Sequence, residues 1–209
     1  MQVKRLMIKN LIFDVGEVLL EYRWMDMLMD YGLTPSEARR IGKELFHKPI
    51  WADGLDGGLL TIESAIEKYR ILHPDDIDVI SWFLHNGEHM AVRRPEVWDK
   101  LALLKKKGYG IYILSNYSKE LFEKHTKDAD FLKIIDGGII SYQIHLLKPD
   151  VRIYKALLEK YRLKAEESMF FDDKEQNVNG AVRAGMKAVK VTSREALNNM
   201  LDNILENVW

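Results

Sequence analysis

Five short apolar runs constrain this chain more than any other feature: 10–14 (NLIFD), 110–115 (GIYILS), 134–141 (IIDGGIIS), 168–172 (SMFFD) and 187–192 (KAVKVT). Most of them lack polar alternation. A strand with one wet face alternates apolar and polar residues, whereas a parallel strand covered on both faces does not. Parallel neighbours need long crossovers, and helical periodicity fills the gaps. Val97, Leu101 and Leu104 share one face after Pro95. Tyr154, Leu157, Leu158 and Tyr161 recur at i, i+3, i+4, i+7, and Leu197, Met200, Leu201, Ile204, Leu205 and Val208 repeat the pattern. Thr192 and Glu195 read as a capping box opening that last helix. Lys105–Lys107 before Gly108 reads as a helix C-terminus, with cations on its negative end and a glycine cap. Strands alternating with helices predict an open α/β sheet with right-handed crossovers.

Residues 21–92 break this rhythm and read as wholly helical. In TPSE (34–37), Thr34 falls at an N-cap, Pro35 at N1 and Glu37 at N3, and Ala38, Ile41 and Leu45 follow on one stripe. A second helix starts at Thr61, with Ile62, Ala65, Ile66 and Tyr69 in register, and a third covers 75–86. Between the first two lies ADGLDGG (52–58), whose Asp53 and Asp56 lack EF-hand spacing and read as turn residues. The predicted organisation is an α/β core of 1–20 and 93–209, with a helical cap of 21–92 inserted after the first strand.

The 209 residues are 47% hydrophobic, enough for one core domain plus an insertion. The 31 basic and 32 acidic residues leave a net charge of −1, so no nucleic-acid partner is expected. There is no cysteine, which excludes disulfides, thiolate metal sites and cysteine nucleophiles and is compatible with a cytoplasmic location. No signal-peptide core precedes Asp14, and no apolar stretch approaches membrane-spanning length; a soluble protein without a membrane partner is expected.

Ligand sites of open parallel sheets lie outside the C-terminal strand ends. The first run ends at Asp14, the second at Ser115-Asn116 and the fourth at Asp172-Asp173, while Lys148-Pro149 follows the third run and its trailing loop. A carboxylate beside a core strand costs several kcal/mol, roughly, if left unpaired. Three of them together would repel and raise at least one pKa. A hard divalent cation such as magnesium relieves this with oxygen ligands and keeps positions for phosphate oxygens, and Lys148 neutralises what remains.

Four stretches in this order, IFDVGEVL (12–19), ILSN (113–116), LKPD (147–150) and FFDDKEQN (170–177), resemble the motifs of the haloacid dehalogenase-like superfamily, subfamily IA. The resemblance covers essentially the whole chain. It implies a Rossmann-like core with the Asp14 strand central, a small helical cap, and a magnesium-dependent hydrolase forming an aspartyl-phosphate. On that resemblance Asp14 is the nucleophile and Lys148 balances charge. Ser115 bonds phosphoryl oxygens and Asn116 positions substrate or phosphate. Asp14, the Gly16 carbonyl and Asp173 face the metal, with Asp172 a ligand directly or through water, and Asn177 supports the site. The partner implied is a small phosphate ester, bound by a monomer or homodimer.

Gly16 departs from the pattern, because most phosphatases of this family carry an acid there to protonate the leaving group. Three readings follow: a dehalogenase, whose halide leaves without a proton; loss of catalysis, leaving a phosphate- or metal-binding protein; or the branch with an FD-x-G-x-V first motif. RRPEV (93–97), KPDVRIY (148–154) and FFDDKEQNVNGA (170–181) are similar to that last branch, which includes α-glucose-1-phosphate phosphatases. Glu17 is the nearest acid in sequence to replace the missing one, though a solvated turn acid explains it as well. In the cap loop FHKPIWADGLDGG (46–58), His47 and Trp51 are candidates to meet a sugar, His47 by hydrogen bonds and Trp51 by stacking. Trp24, Trp82 and Trp98 read as packing residues.

Overall fold

The computed structural model describes residues 7–206; Val208 and residues 1–6 lie outside them. Five parallel strands form the core sheet in the order β5-β4-β1-β6-β7. They are β1 (Asn10–Phe13), β4 (Gly110–Ser115), β5 (Gly137–Ile140), β6 (Ser168–Asp172) and β7 (Lys187–Lys190). All five apolar runs therefore become strands. The third is shorter than its run because Asp136 turns back: its carboxylate accepts the Ile111 N–H at 2.9 Å, and its own N–H donates to Ile111 O.

The lack of alternation in β1 has a direct cause. Leu11 and Phe13 join the apolar cluster on one face, Ile12 joins the other, and all three have no solvent exposure. Phe13 stacks on Phe171 of β6 with ring centroids 4.8 Å apart. Helices α5 (Pro95–Lys106), α6 (Lys119–Thr126), α7 (Ser141–Ile144), α8 (Val151–Tyr161), α9 (Glu175–Arg183) and α10 (Arg194–Leu205) follow the strands. After α5, Gly108 has φ +93°, and the Gly108 and Tyr109 N–H groups donate back to Lys105 O and Leu104 O, a Schellman turn. One expected cap is corrected. Ser193, not Thr192, caps α10 by accepting the Ala196 N–H at 3.0 Å, which puts Glu195 too early in the helix to close a capping box.

Helices α1 (Trp24–Asp30), α2 (Pro35–Leu45), α3 (Ile62–Leu72) and α4 (Ile77–His85) build the insertion. Thr34 and Glu37 cap α2 reciprocally, and Thr61 and Ser64 do the same for α3. A short antiparallel ribbon, β2 (Leu20–Tyr22) with β3 (Ala91–Arg93), joins the chain where it leaves the core and returns. Three-residue strands carry no readable period, so the sequence gives no sign of them. Segment 52–58 is a π-helical turn over Trp51–Asp56, followed by Gly57 and Gly58. Gly58 has φ +73°, and a Cβ there would lie 2.7 Å from Tyr142 O, so glycine alone lets this loop press on the core. Among the described residues no helix is long and apolar enough to cross a membrane.

Candidate active site

The sheet delivers its acids to one edge. Asp14 directly follows β1, and its N–H extends the ladder to Phe171 O at 2.9 Å. Its Oδ1 accepts the Val15 N–H at 2.7 Å and the Ser115 hydroxyl at 2.6 Å. Its Oδ2 lies 2.8 Å from Lys148 Nζ, which also lies 2.6 Å from Asp172 Oδ2. Lys148 and Asp172 are shut off from solvent and Asp14 is 7% exposed. Both Asp172 oxygens are fully used: Asn177 Nδ2 donates to each, at 2.9 and 3.1 Å, and the Lys174 N–H donates to Oδ1 at 2.8 Å.

The electrostatics follow from this crowding. Burial pushes the Asp14 carboxyl up to about 7, the Lys148 ammonium resists, and the neighbouring Asp172 adds to the rise. Asp172 goes the opposite way, since Lys148 and its hydrogen bonds outweigh its own burial. The two carboxylates likewise outweigh burial at Lys148 and hold the ammonium above its ordinary range. Asp173 is raised, first by burial and then by Asp172. Oxygens of Asp14, Asp172 and Asp173 lie within 4.8 Å of one another. This all-oxygen donor set, with a half-buried Asp173 that makes no ion pair among the described residues, fits a hard divalent ion.

Several expected site residues are used otherwise. The Ser115 hydroxyl is spent on Asp14. The Asn116 amide is spent on Lys148: its Nδ2 donates to Lys148 O at 3.0 Å, and its Oδ1 accepts the Lys148 N–H at 2.8 Å. Asn116 thus fixes the lysine loop, a task with no sequence signature. His47 is exposed and outside the cavity, while its neighbour Lys48, likewise exposed, stands at the rim. Trp51 does line the cavity, 4.7 Å from Phe46 and edge-on to it. Glu17 sits at φ +58°, accepts the Tyr22 N–H at 3.1 Å and faces the buried Arg94, whose guanidinium donates to Glu17 O at 2.8 Å. It is a turn acid, and its carboxyl is raised by burial.

At Gly16 a Cβ would lie 2.5 Å from the Tyr22 hydroxyl oxygen and 2.7–2.9 Å from ring carbons. The Tyr22 phenol fills the room of the missing side chain. Above the acids a cavity of about 890 Å³ opens, walled by Tyr22, Trp24, Phe46, Trp51 and Met90 and rimmed by Lys48, Arg152 and Lys174. Asp56 also lines it, half-buried. The local sequence marks Asp56 only as a turn residue, and the three-dimensional docking of its loop is what brings it here.

A central parallel strand ending in a buried acid, paired with a lysine and two further acids at the same sheet edge, defines an α/β core whose acid cluster faces a helical insertion. The haloacid dehalogenase-like hydrolase family model matches residues 8–185, and the chain belongs to that family. It is 30% identical to the glyceraldehyde 3-phosphate phosphatase of Methanothermobacter thermautotrophicus over 201 residues, covering 90% of this chain and 87% of that one. It is 26% identical to the drimenol cyclase drtB of Aspergillus calidoustus and 24% identical to (S)-2-haloacid dehalogenase 4A of Burkholderia cepacia. Those matches cover 95% and 63% of this chain, but the chain spans 37% and 57% of their lengths. In fold it is similar to a HAD family enzyme of Bacteroides thetaiotaomicron solved with magnesium and inorganic phosphate. That match has a TM-score of 0.69 and 23% identity, and it covers 90% of this chain and 96% of that one.

Proposed function

We propose that the protein is a magnesium-dependent phosphatase of small phosphate monoesters, with sugar phosphates the first class to test. The observation that carries the reading is the acid cluster: Lys148 compensates Asp14 and Asp172, and Asp173 is left over for a cation. The 2-haloacid dehalogenase relative and the missing acid at Gly16 favour the alternative, in which halide leaves without a proton. That chemistry gives no use for the unpaired Asp173.

Asp14, Asp173 and the Gly16 carbonyl would hold the magnesium, and Asp172, its oxygens already bonded, would face it through water. When bound, the ion supplies positive charge to the phosphoryl oxygens. Asp14 attacks phosphorus and the bond to the leaving oxygen breaks. Water then attacks the aspartyl-phosphate and restores the carboxylate. Val15 N–H and Ser115 orient the nucleophile, and Lys148 stabilises charge on the transferring group. The cationic rim draws the anionic ester in.

The test is phosphate release from sugar phosphates and p-nitrophenyl phosphate, with magnesium and with EDTA. Magnesium-dependent release that Asp14→Asn abolishes is expected. Asparagine keeps the acceptor for Ser115 and Val15, so that variant still folds. No release from any ester, with chloride released from 2-haloacids in EDTA, would replace this reading by the dehalogenase.

A further inference from the structure

A phosphatase of this build lacks a proton source where Gly16 stands, and the geometry closes that position to any other. The Tyr22 ring occupies the space, packed against Tyr117 and His125 with ring centroids 6.2 and 6.0 Å away. The acid must come from elsewhere in the cavity. Of its carboxyls outside the metal cluster, Glu17 is held by Arg94 and the Tyr22 N–H, Asp150 caps α8 and is gripped by Arg152 at 2.6 Å, and Asp53 opens the π-helical turn, ahead of the residues that pin that turn to the core. Asp56 differs. It comes from the opposite wall, it is half-buried, and it feels the charges of both Asp14 and Lys148.

Its placement is built rather than incidental. The Ser141 hydroxyl donates to Asp56 O at 2.5 Å and itself accepts the Tyr117 N–H at 2.9 Å. His145 Nδ1–H donates to Gly57 O at 2.9 Å, and Gly58 lies flat on Tyr142. The loop is latched to the core at three successive residues.

We propose that Asp56 is the general acid and base that position 16 lacks, delivered by the helical insertion; this rests on the phosphatase reading. As Asp14 attacks phosphorus and the P–O bond breaks, the leaving oxygen takes the Asp56 proton and departs as the alcohol. The Asp56 carboxylate then takes a proton from the water that attacks the aspartyl-phosphate. The bond to Asp14 breaks, and both side chains return to their starting states. Burial pushes the Asp56 carboxyl up to about 7, against Lys174 and the Ser118 N–H, so it is part protonated where a hydrolase works. Catalysis then exists only with the loop docked, which ties chemistry to closure of the insertion.

Asp56→Asn tests this with two esters, an alkyl phosphate whose alkoxide needs a proton and p-nitrophenyl phosphate whose phenolate does not. The expected result is a loss of about 10²–10⁴-fold in alkyl ester turnover. With p-nitrophenyl phosphate a burst of one equivalent of nitrophenolate precedes slow turnover, because only the second step still wants a base. Equal losses on both esters without a burst would make Asp56 a docking residue and overturn the proposal, as would unchanged alkyl turnover. Should Asp56→Asn fail to fold, Asp56→Glu decides: partial alkyl turnover supports the role, and none in a folded protein overturns it. If the unaltered protein releases no phosphate from either ester, the phosphatase reading falls first and this one with it.

Discussion

The two walls of the cavity are made of opposite materials. The core wall is ionic and saturated: Asp14, Lys148 and Asp172 bond one another and Ser115 and Asn177 at 2.6–3.1 Å, nearly free of water. The wall from the insertion is aromatic, with Trp24 edge-on to Phe46 at 5.4 Å and Phe46 edge-on to Trp51 at 4.7 Å, and Asp56 among them. A buried ion network is costly to assemble and intolerant of loss. Aromatic surface tolerates change and sets what can bind. On the phosphatase reading proposed above, the core wall carries both stability and chemistry, and the other wall selectivity and closure.

The largest break in this contrast is Lys148→Met. It keeps the stem volume and leaves two buried carboxylates facing each other. A loss of about 3–5 kcal/mol of stability is expected, read as a fall in the urea midpoint, together with loss of turnover. A midpoint within error of the unaltered protein would mean the core wall is not the ionic keystone described above.

A second break lies where the walls meet. His125 Nδ1 takes the Tyr117 hydroxyl at 2.6 Å and its Nε2–H donates to Gly87 O at 2.7 Å. Burial lowers this imidazole from 6.5 to about 4, with Gly87 O and Glu88 pulling it up and Lys124 down. Between those values the unfolded chain binds the proton and the native protein does not, so stability is full above pH 6.5 and falls as pH drops toward 4. The loss is on the order of 3 kcal/mol at ~1.4 kcal/mol per pH unit. Urea midpoints at pH 7.5, 5.5 and 4.5 measure it, and His125→Gln should flatten the part of the slope that this imidazole causes.

What the sequence made legible follows the same division. The core acids stand at the ends of apolar runs, and a parallel sheet sends every strand end to one edge; Asp14, Lys148, Asp172 and Asp173 could be gathered on that ground alone. Helix starts at Thr34 and Thr61 were legible because capping is local. Asp56, the Asn116 clasp on Lys148 and the Tyr22 ring against Gly16 were not, because each depends on contact between segments distant in sequence or folded across a turn. His47 was not placeable because which residue of an irregular connection reaches a cavity depends on how the helices on either side dock, and here Lys48 reaches the rim and His47 does not.

A third test sharpens the contrast at the seam. Gly16→Asp restores the acid of the family pattern, yet its Cβ collides with the Tyr22 ring, which Tyr117 and His125 hem in. A cost of about 1–3 kcal/mol is expected, as for overpacking elsewhere, with no gain in turnover. Tyr22→Ala alone should leave a cavity and also destabilise. Because the two side chains compete for one space, the double variant should be more stable than the sum of the single losses. Coupling of 0.5–3 kcal/mol, roughly, is the range for residues in contact, and additive losses would show that the ring moves aside freely.

The smallest expected effect is Trp51→Ala, and it tests what the aromatic wall is for. The indole is half-buried and touches none of the core acids' hydrogen bonds, so removing it should leave kcat nearly unchanged. If the ring serves as a face for the organic part of the ester, KM rises about 5–10-fold for that ester, near the 0.5–1.5 kcal/mol typical of an aromatic contact. KM for methyl phosphate, which has little to stack, should hardly move. A drop in kcat on every ester, with KM constant, would mean that Trp51 holds the Asp56 turn in place, since both residues belong to the same π-helical segment. That result would shift the ring from selectivity to closure while leaving the ionic wall's role intact.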